Sequence, residues 1–593
     1  MASTATLTAG ALSTAVAAPH AAPASAASAS ASRTASPADI AAASTAAHAH
    51  AAATGVGEHD TLKATEALVD SDGKKHVHFD RTHRGLPVLG ADLIIHLDAK
   101  NRYLGVTRAT TDKVDVTSTT PKKTAQTAQA AAAAAGKGTA GKAQLVVSAL
   151  AGHAPVLAYQ VRVAGSATTE DKGDRLVVVD ATTGAVLSNV PVEDSFLSPQ
   201  VIAELRRRDE SVSPQGEAAA KSSTATRQGT AAPLIRAASP AAAGTAATGN
   251  SLYVGTVGLT ASPYTYQGRQ YYILRDPSRG STEVRDADGQ QIQDFGQGYL
   301  SASTSTTFGN GTTSDRNSAA VDAMYGITST FDFYKSTFGR NGIANDGNGA
   351  HGMVHWGSNV GNAFWNPDCD CMLYGDGDGS TFKKPLVVLD VTGHELTHGV
   401  VGATAGLQPT RVDSQGHQYG EPGALNESLA DIFGSGMEFA ANNPNNPPNY
   451  LIGEKLGLSQ GFLRRLDQPS QDRLEGTIDY WSPSTTNTEV HAGSGVSSHA
   501  FYLLAEGSGR KTIGGVSYNS PTYDGSTVAG IGRSKALAIF YQALTRYMVS
   551  STSFHGARTA TLNAAKDLYG ANSTEYQTVN KAWAAVNVTA ANG

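Results

Sequence analysis

The segment Val391-Thr-Gly-His394-Glu395-Leu-Thr-His398-Gly constrains the fold more than any other in the chain. On a helix, His394 and His398 lie one turn apart on one face, so both imidazoles can reach a single metal ion. Glu395 stands beside them, where a carboxylate can take a proton from water activated by the metal. A catalytic zinc uses three protein ligands and keeps one position open, and Glu427 in Gly423-Ala-Leu-Asn-Glu427-Ser-Leu-Ala-Asp431 is the natural third. One turn further on, Asp431 is placed to hold the ring nitrogen of His394 that does not bind metal. His-Glu-x-x-His alone is a modest signal, common on exposed helices. A second helix with a ligand and a supporting acid at helical spacing makes the pair specific, and it obliges two helices to pack side by side.

A chain of 593 residues is too long for one core and implies three or four folding units. The net charge of −6 is mild and the basic residues are dispersed, which argues against a nucleic-acid partner. No run of apolar residues is long enough for a membrane span. Leu7 to Ala18 ends in Ala15-Val-Ala17, which fits the end of a secretory signal, although no Lys or Arg precedes Arg33. Residues 1–57 read as that signal followed by an Ala/Ser-rich disordered leader. The two cysteines, Cys369 and Cys371, are too few for a four-ligand zinc site. They read as a tight loop disulfide or as two free thiols, the disulfide being preferred in an oxidising compartment.

Alternation over residues 77–107 predicts paired strands, with Leu86–Asp98 the clearest part. Residues 58–116 form a first small module and 117–143 a linker. Residues 144–195 form a second module, with strands at Leu157–Val163 and Arg175–Val179 and a turn at Asp180-Ala-Thr-Thr-Gly184. Residues 196–249, rich in Ala, Ser, Pro and Gln around Arg206-Arg-Arg208, read as an exposed linker open to proteolysis. Residues 250–395 are expected to be a β-rich lobe and 396–593 a helical one. Helical periodicity runs through Val391–Thr404, Gly423–Asn442, Val496–Gly507, Gly532–Met548 and Ala557–Leu568. The fold class is α+β, with the His394 helix at the junction of two lobes and a cleft between them.

Several motifs stand in order: Asn362-Ala-Phe-Trp365, Tyr374-Gly-Asp-Gly-Asp-Gly379, the His394 helix, the Glu427 helix, Val490-His491 and Gly532-Arg-Ser-Lys535. From about residue 75 to the end the chain resembles thermolysin-like (neutral protease) zinc metalloprotease zymogens of the type secreted by actinobacteria. The resemblance implies a secreted, monomeric endopeptidase acting on proteins and peptides, with Zn²⁺ on His394, His398 and Glu427 and Glu395 as base. It implies an inhibitory and chaperoning propeptide in cis, its second module of PepSY type. The bond cut on maturation is expected between Ala232 and Asn250.

Further roles follow from the same likeness. His491 matches the histidine that steadies the oxyanion, but no Asp precedes it and Glu489 is the nearest carboxylate. Tyr419 is the candidate for the partner tyrosine, although it lies eight residues before Glu427 where the family shows nine. Asn362 and Ala363 are expected to hold a substrate backbone along a strand edge. Arg464 would bind a substrate carbonyl. Phe382, Val391, Ile452 and Leu463 would line an apolar pocket for the residue after the scissile bond. Asp390, Glu438 and Glu454 match carboxylates of a Ca²⁺ site, where hard oxygen ligands suit the ion. His351 and His355 read as structural, and Asp376-Gly-Asp378 as a turn. No Gly-x-Ser-x-Gly elbow is present for a serine hydrolase. The competing readings are a binding protein that retains the fold without catalysis, and a chain acting mainly through its propeptide.

Overall fold

The computed structural model describes residues 33–165, 173–212, 235–236 and 243–593. Residues 1–32 and most of the stretch around Ala232 therefore lie outside the described residues. So does the expected signal.

The leading modules share one sheet of ten strands, which runs from Arg33–Thr34 to Val186–Pro191. Its two halves are joined where Leu86–Leu89 pairs in parallel with Thr139–Ser148. The expected disordered leader is corrected from residue 33 onward. Helix Pro37–Ala49 begins at a capping box between Ser36 and Asp39, with Pro at the start of the helix. It buries Ala43 and Ala47 in a core with Val77, Phe79, Leu93, Ile95 and Leu97. Alanines have little apolar contrast, so no periodic signal marks this helix, yet their small side chains let it lie close on a sheet.

The two expected linkers also need correction. Residues 117–143 contain helix Ala125–Gly136, capped by Thr124, and the first residues of strand Thr139–Ser148. Residues 196–249 contain helix Pro199–Val212 and strand Thr245–Asn250, the latter paired into the sheet of the following lobe. The apolar side chains of Phe196, Leu197 and Val201 join the main core, which is what orders this stretch.

The lobe from residue 245 carries a five-stranded sheet, most of a seven-stranded one, and a long buried helix, Asn317–Phe338. The helical lobe contains Glu421–Ala441, Gly495–Ala505, Arg533–Tyr547, Phe554–Tyr569 and Thr574–Ala584. Helix Leu389–Gly402 crosses between the lobes and is buried along almost its whole length. The expected boundary at 395/396 therefore cuts a single helix. The leading modules dock on both lobes. Arg546 pairs with Asp70 at 3.1 Å, Lys74 with Asp567 at 2.8 Å and Arg340 with Glu66 at 3.2 Å. Among the described residues no helix is long and apolar enough to cross a membrane.

Candidate active site

Two glycines bring the ligand helices together. A Cβ on Gly393 would meet Met437 at 2.6 Å and the Gly434 backbone at 3.1 Å, and one on Gly434 would meet the His394 backbone at 3.0 Å. Only this close approach lets side chains from Leu389–Gly402 and Glu421–Ala441 converge on one point.

His394 Nε2 and His398 Nε2 lie 3.0 Å apart, and the Glu427 carboxylate lies 3.5 Å from the first and 3.7 Å from the second. Both rings are held from behind: His394 Nδ1 lies 2.7 Å from Asp431 Oδ1, and His398 Nδ1 lies 3.0 Å from Asn426 Oδ1. With each Nδ1–H donating to an oxygen, both Nε2 atoms turn lone pairs towards each other. That arrangement is repulsive unless a cation sits between them. Glu427 Oε2 is buried with no hydrogen-bond partner, an orphan that a metal ion would satisfy. The residues therefore fit a divalent ion with three protein ligands.

Without a metal ion the carboxylates favour a proton on His394, which a metal would displace. Burial disfavours a charged His394, but the hydrogen bond to Asp431 and the nearby Glu427 carboxylate outweigh it and lift its pKa to about 9. Burial would push the Glu427 carboxyl up, yet His491, His398 and His394 hold it well below the usual carboxylate range. Glu395 is fully buried, and burial, with Asp194 and Glu427 nearby, drives its pKa well up. Trp365 N–H donates to Glu395 Oε2 at 2.9 Å, leaving Oε1 unpartnered.

His491 stands at the other side of the cluster, its Nε2 3.6 Å from Glu427 Oε1. Glu489 orients it: both carboxylate oxygens lie 3.1 Å from Nδ1, and one also accepts from the His491 backbone N–H at 2.8 Å. Burial opposes a charge on His491, but Glu427, Glu489 and Glu475 outweigh it and raise the pKa well above its ordinary value. The ring can then donate from both nitrogens. Tyr419 is placed otherwise than expected. Its hydroxyl donates to Asp413 at 3.1 Å, and Arg411 covers its ring at 3.8 Å. Its backbone still bridges Glu489.

Arg464, expected to bind a substrate carbonyl, is fully buried. It grips Asp431 with Nε at 2.8 Å and an NH2 at 2.9 Å, and it reaches Glu475 at 3.2 Å. Asn426 and Glu475 went unread in the sequence. Asn426, one residue before Glu427, was the readable one, because a helix neighbour of a ligand often supports the ring beside it.

Asn362 and Ala363 do line a strand edge, and a strand of the chain itself occupies it. Asp194–Ser195 pairs antiparallel with Ala363–Asn366. Phe196 N–H donates to Ala363 O at 3.2 Å, and Leu197 N–H to Asn362 Oδ1 at 3.1 Å. The Phe196 ring packs edge-on to His394 at 5.3 Å and lies under Arg464 at 5.3 Å. Leu463 and Phe196 both crowd Gly453. Phe382, Val391 and Ile452 are buried in the same core.

Asp390, Glu438 and Glu454 form a second buried acidic group. Asp390 accepts from Gly453 N–H, Glu438 from Asn449 N–H at 3.0 Å, and Glu454 from Asn449 Nδ2 at 2.9 Å. Their ligand atoms do not close into a set as compact as the histidine trio. His355 bonds Asp376 at 2.7 Å and the Arg316 carbonyl at 3.1 Å, while His351 stacks on Phe295. Asp378 Oδ1 accepts the Ser380 and Phe382 N–H groups, closing a turn. Cys369 and Cys371 are joined in a disulfide.

The chain is similar to known proteins throughout these regions. The thermolysin metallopeptidase catalytic domain matches residues 246–402, its alpha-helical domain residues 417–588, and the fungalysin/thermolysin propeptide motif residues 60–110. A transglutaminase-activating metalloprotease of Streptomyces mobaraensis is 37% identical over 90% of this chain, which spans 62% of that relative's length. The thermostable neutral protease NprT of Geobacillus stearothermophilus is 32% identical over 89% of this chain and 86% of its own. A thermolysin of Bacillus sp. (strain EA1) is 32% identical over 88% and 84% respectively. By fold, by motif and by these relatives, the chain belongs to the thermolysin family of metallopeptidases.

Proposed function

We propose that the chain is a zinc-dependent endopeptidase made as a precursor, whose own propeptide blocks the cleft until it is removed. The observation that carries this reading is the buried trio of His394, His398 and Glu427, with Glu395 alongside bearing an unpartnered oxygen. Zinc, when bound there, supplies a Lewis acid that polarises a carbonyl and acidifies water. The protein's own groups do the rest. Asn362 and Ala363 align the backbone, Glu395 Oε1 takes a proton and returns it to the leaving amine, and doubly protonated His491 donates to the carbonyl oxygen as charge develops. Asp431 and Asn426 keep the two imidazoles in one tautomer, and Glu489 orients His491. The Phe196 pocket supports a preference for apolar residues after the scissile bond.

The acidic group of Asp390, Glu438 and Glu454 supports one bound calcium ion, since three buried carboxylates repel one another without a cation. The disulfide and the family support export from the cell, with protein and peptide substrates, a monomeric chain, and no nucleic-acid or membrane partner. Helix Ala125–Gly136, packed on the antiparallel strands from Thr139–Ser148 to Val186–Pro191, supports a PepSY-like module over residues 144–195.

The test is Glu395→Gln. Metal analysis should find one zinc per chain in the variant as in the wild type, while hydrolysis of an internally quenched peptide falls at least 10³-fold. Undiminished hydrolysis would refute the mechanism.

A further inference from the structure

The sheet of the first leading module has two faces, and its own chain covers only one of them here. In strands Lys75–His83 and Leu93–Leu97, Val77 and Phe79 share a face with Leu93, Ile95 and Leu97 and pack under helix Pro37–Ala49. Side chains alternate along a strand, so the opposite face carries His76, His78, Ile94 and His96, with His76 directly across from His96. A face rich in histidine suits water. The helical lobe buries it instead: His76 and His78 are 1% and 5% exposed. His78 Nε2 lies 3.0 Å from the carbonyl of Thr545, near the end of helix Arg533–Tyr547. The Tyr547 ring sits 5.2 Å from both His76 and His96.

Geometry restricts how many protons this face can hold. His76 Nε2 lies 3.1 Å from Asp70 Oδ2, His76 Nδ1 2.8 Å from His96 Nδ1, and His96 Nε2 2.9 Å from Thr107 Oγ1. With both rings neutral the line runs one way: Thr107 O–H donates to His96, His96 Nδ1–H to His76, and His76 Nε2–H to Asp70. One added proton fits, because a single hydrogen still lies between the two Nδ1 atoms. A second does not, since two N–H groups would then face each other across 2.8 Å. Burial lowers the pKa of His78, although Glu66 and Asp92 oppose it. Burial, with His76 and His78 beside it, also lowers that of His96, against Asp70.

The charged groups around the histidines are already matched. Asp70 pairs with Arg546, Asp567 with Lys74 and Glu66 with Arg340. Asp92 accepts from Ser550 N–H at 3.0 Å, and the Tyr547 hydroxyl donates to Asp567. Asp80 follows on the histidine face and is open to water. Asp70, His76 and Asp567 lie close enough to hold an ion, but Lys74 and Arg546 already place positive charge there. Three imidazolium charges would therefore be added to a balanced interface.

We propose that His76, His78 and His96 form an acid-sensitive seat: the leading modules stay on the helical lobe at neutral pH and leave it below about pH 6. The consequence for activity rests on the endopeptidase reading, in which the docked modules block the cleft. Undocked, all three imidazoles face water and titrate near pH ~6.5. Docked, the face holds one such charge. Release therefore takes up about two protons, and docking weakens about 100-fold for each pH unit once the histidines titrate. Burial would raise Asp70, but His76 and Arg546 hold it down to about 2, so it stays charged throughout this window.

The experiment uses the full chain carrying Glu395→Gln, to prevent proteolysis during the measurement, and follows hydrogen exchange. The Ser550 amide, which donates to Asp92 across the interface, reports docking, and the Leu429 amide inside helix Glu421–Ala441 reports the fold of the lobe. After correction for intrinsic exchange, Ser550 protection should fall at least 100-fold between about pH 7.5 and pH 5. The slope of log protection against pH should approach two below about pH 6, with Leu429 unchanged within tenfold. His76→Gln, His78→Gln and His96→Gln together should hold the Ser550 change under tenfold, because a Gln amide can still donate to Thr545. His96→Gln alone leaves only His78 to gain a proton on release, so the slope should drop to about one.

A smaller fall in the parent, an equal fall in the triple variant, or a Ser550 amide already free at neutral pH would overturn the proposal. If the triple variant does not dock at neutral pH, a slope still near two in His96→Gln would overturn it. If Ser550 stays protected at pH 5 while matured wild type hydrolyses the quenched peptide, this proposal fails and the endopeptidase reading stands. If Ser550 opens with acid but no form hydrolyses the peptide, the seat stands and that reading falls.

Discussion

Asp431→Asn tests how much of the metal site is held from behind. The carboxylate makes three contacts under 3 Å: one to His394 Nδ1 at 2.7 Å and two to Arg464 at 2.8 and 2.9 Å. An amide oxygen at the Oδ1 position keeps the imidazole and one guanidinium contact, but the NH2 then faces Arg464 Nε–H, donor against donor, and the negative charge is lost. Loss of the support behind a ligand histidine lowers metal affinity about 10- to 100-fold. Breaking a buried ion pair costs about 3–5 kcal/mol. The low end applies here, because Glu475 still touches Arg464 at 3.2 Å. For a catalytic unit of this size, about 3 kcal/mol lowers the melting temperature by roughly 4 °C. Zinc affinity would be read by competition with a chromophoric chelator. Melting would be followed with and without metal, because the Arg464 part of the loss persists in the metal-free protein while the His394 part does not. Affinity within twofold of wild type together with a melting shift below 2 °C would refute the reasoning.

Other expectations follow from the same geometry. His491→Phe should lower kcat about 10²- to 10³-fold, whereas Tyr419→Phe should change kcat/KM less than threefold, because the hydroxyl is engaged with Asp413; a loss beyond tenfold in the tyrosine variant would show that it swings to the substrate. Glu193 is raised to about 7 by burial, with Asp174 adding to the effect. Below pH 4.5 the folded and unfolded chains both hold that proton; as pH rises to 7 only the folded one does, so stability falls across this window. Glu193→Gln should therefore stabilise the precursor at pH 8 by about 3 kcal/mol at most, and not at pH 4; an equal shift at both would refute it. Glu454 is likewise raised to about 8 by burial and by Asp390, so without a cation the acidic group grows more destabilising as pH rises towards 8. A calcium chelator should depress the melting temperature by several degrees more at pH 8 than at pH 5, and the reverse order would exclude a cation there.

Much of the chemistry was legible in the chain because it is local. His394, Glu395 and His398 share one helix face by periodicity alone, as do Glu427 and Asp431, so the ligand set and its support follow from spacing. Four helices of the C-terminal lobe are legible to within a few residues of their observed ends, since apolar periodicity marks them, whereas Thr574–Ala584 is not among those the periodicity marks. Helix Pro37–Ala49 escaped because alanine alternation carries no contrast, and helix Pro199–Val212 because its burial depends on a distant surface.

Tertiary structure alone decided what lies between elements. That Gly393 meets Gly434 and that Arg464 serves Asp431 are contacts between segments with no periodic relation. The identity of the occupant of the cleft belongs to the same class. Ser195 and His491 are separated by nearly 300 residues of chain, and only the packing of a propeptide sheet against two lobes brings them to 3.0 Å. Sequence determined which atoms could bind metal and move protons, because helix geometry is a property of neighbours. Which strand those atoms face was decided by long-range burial, which no local pattern encodes.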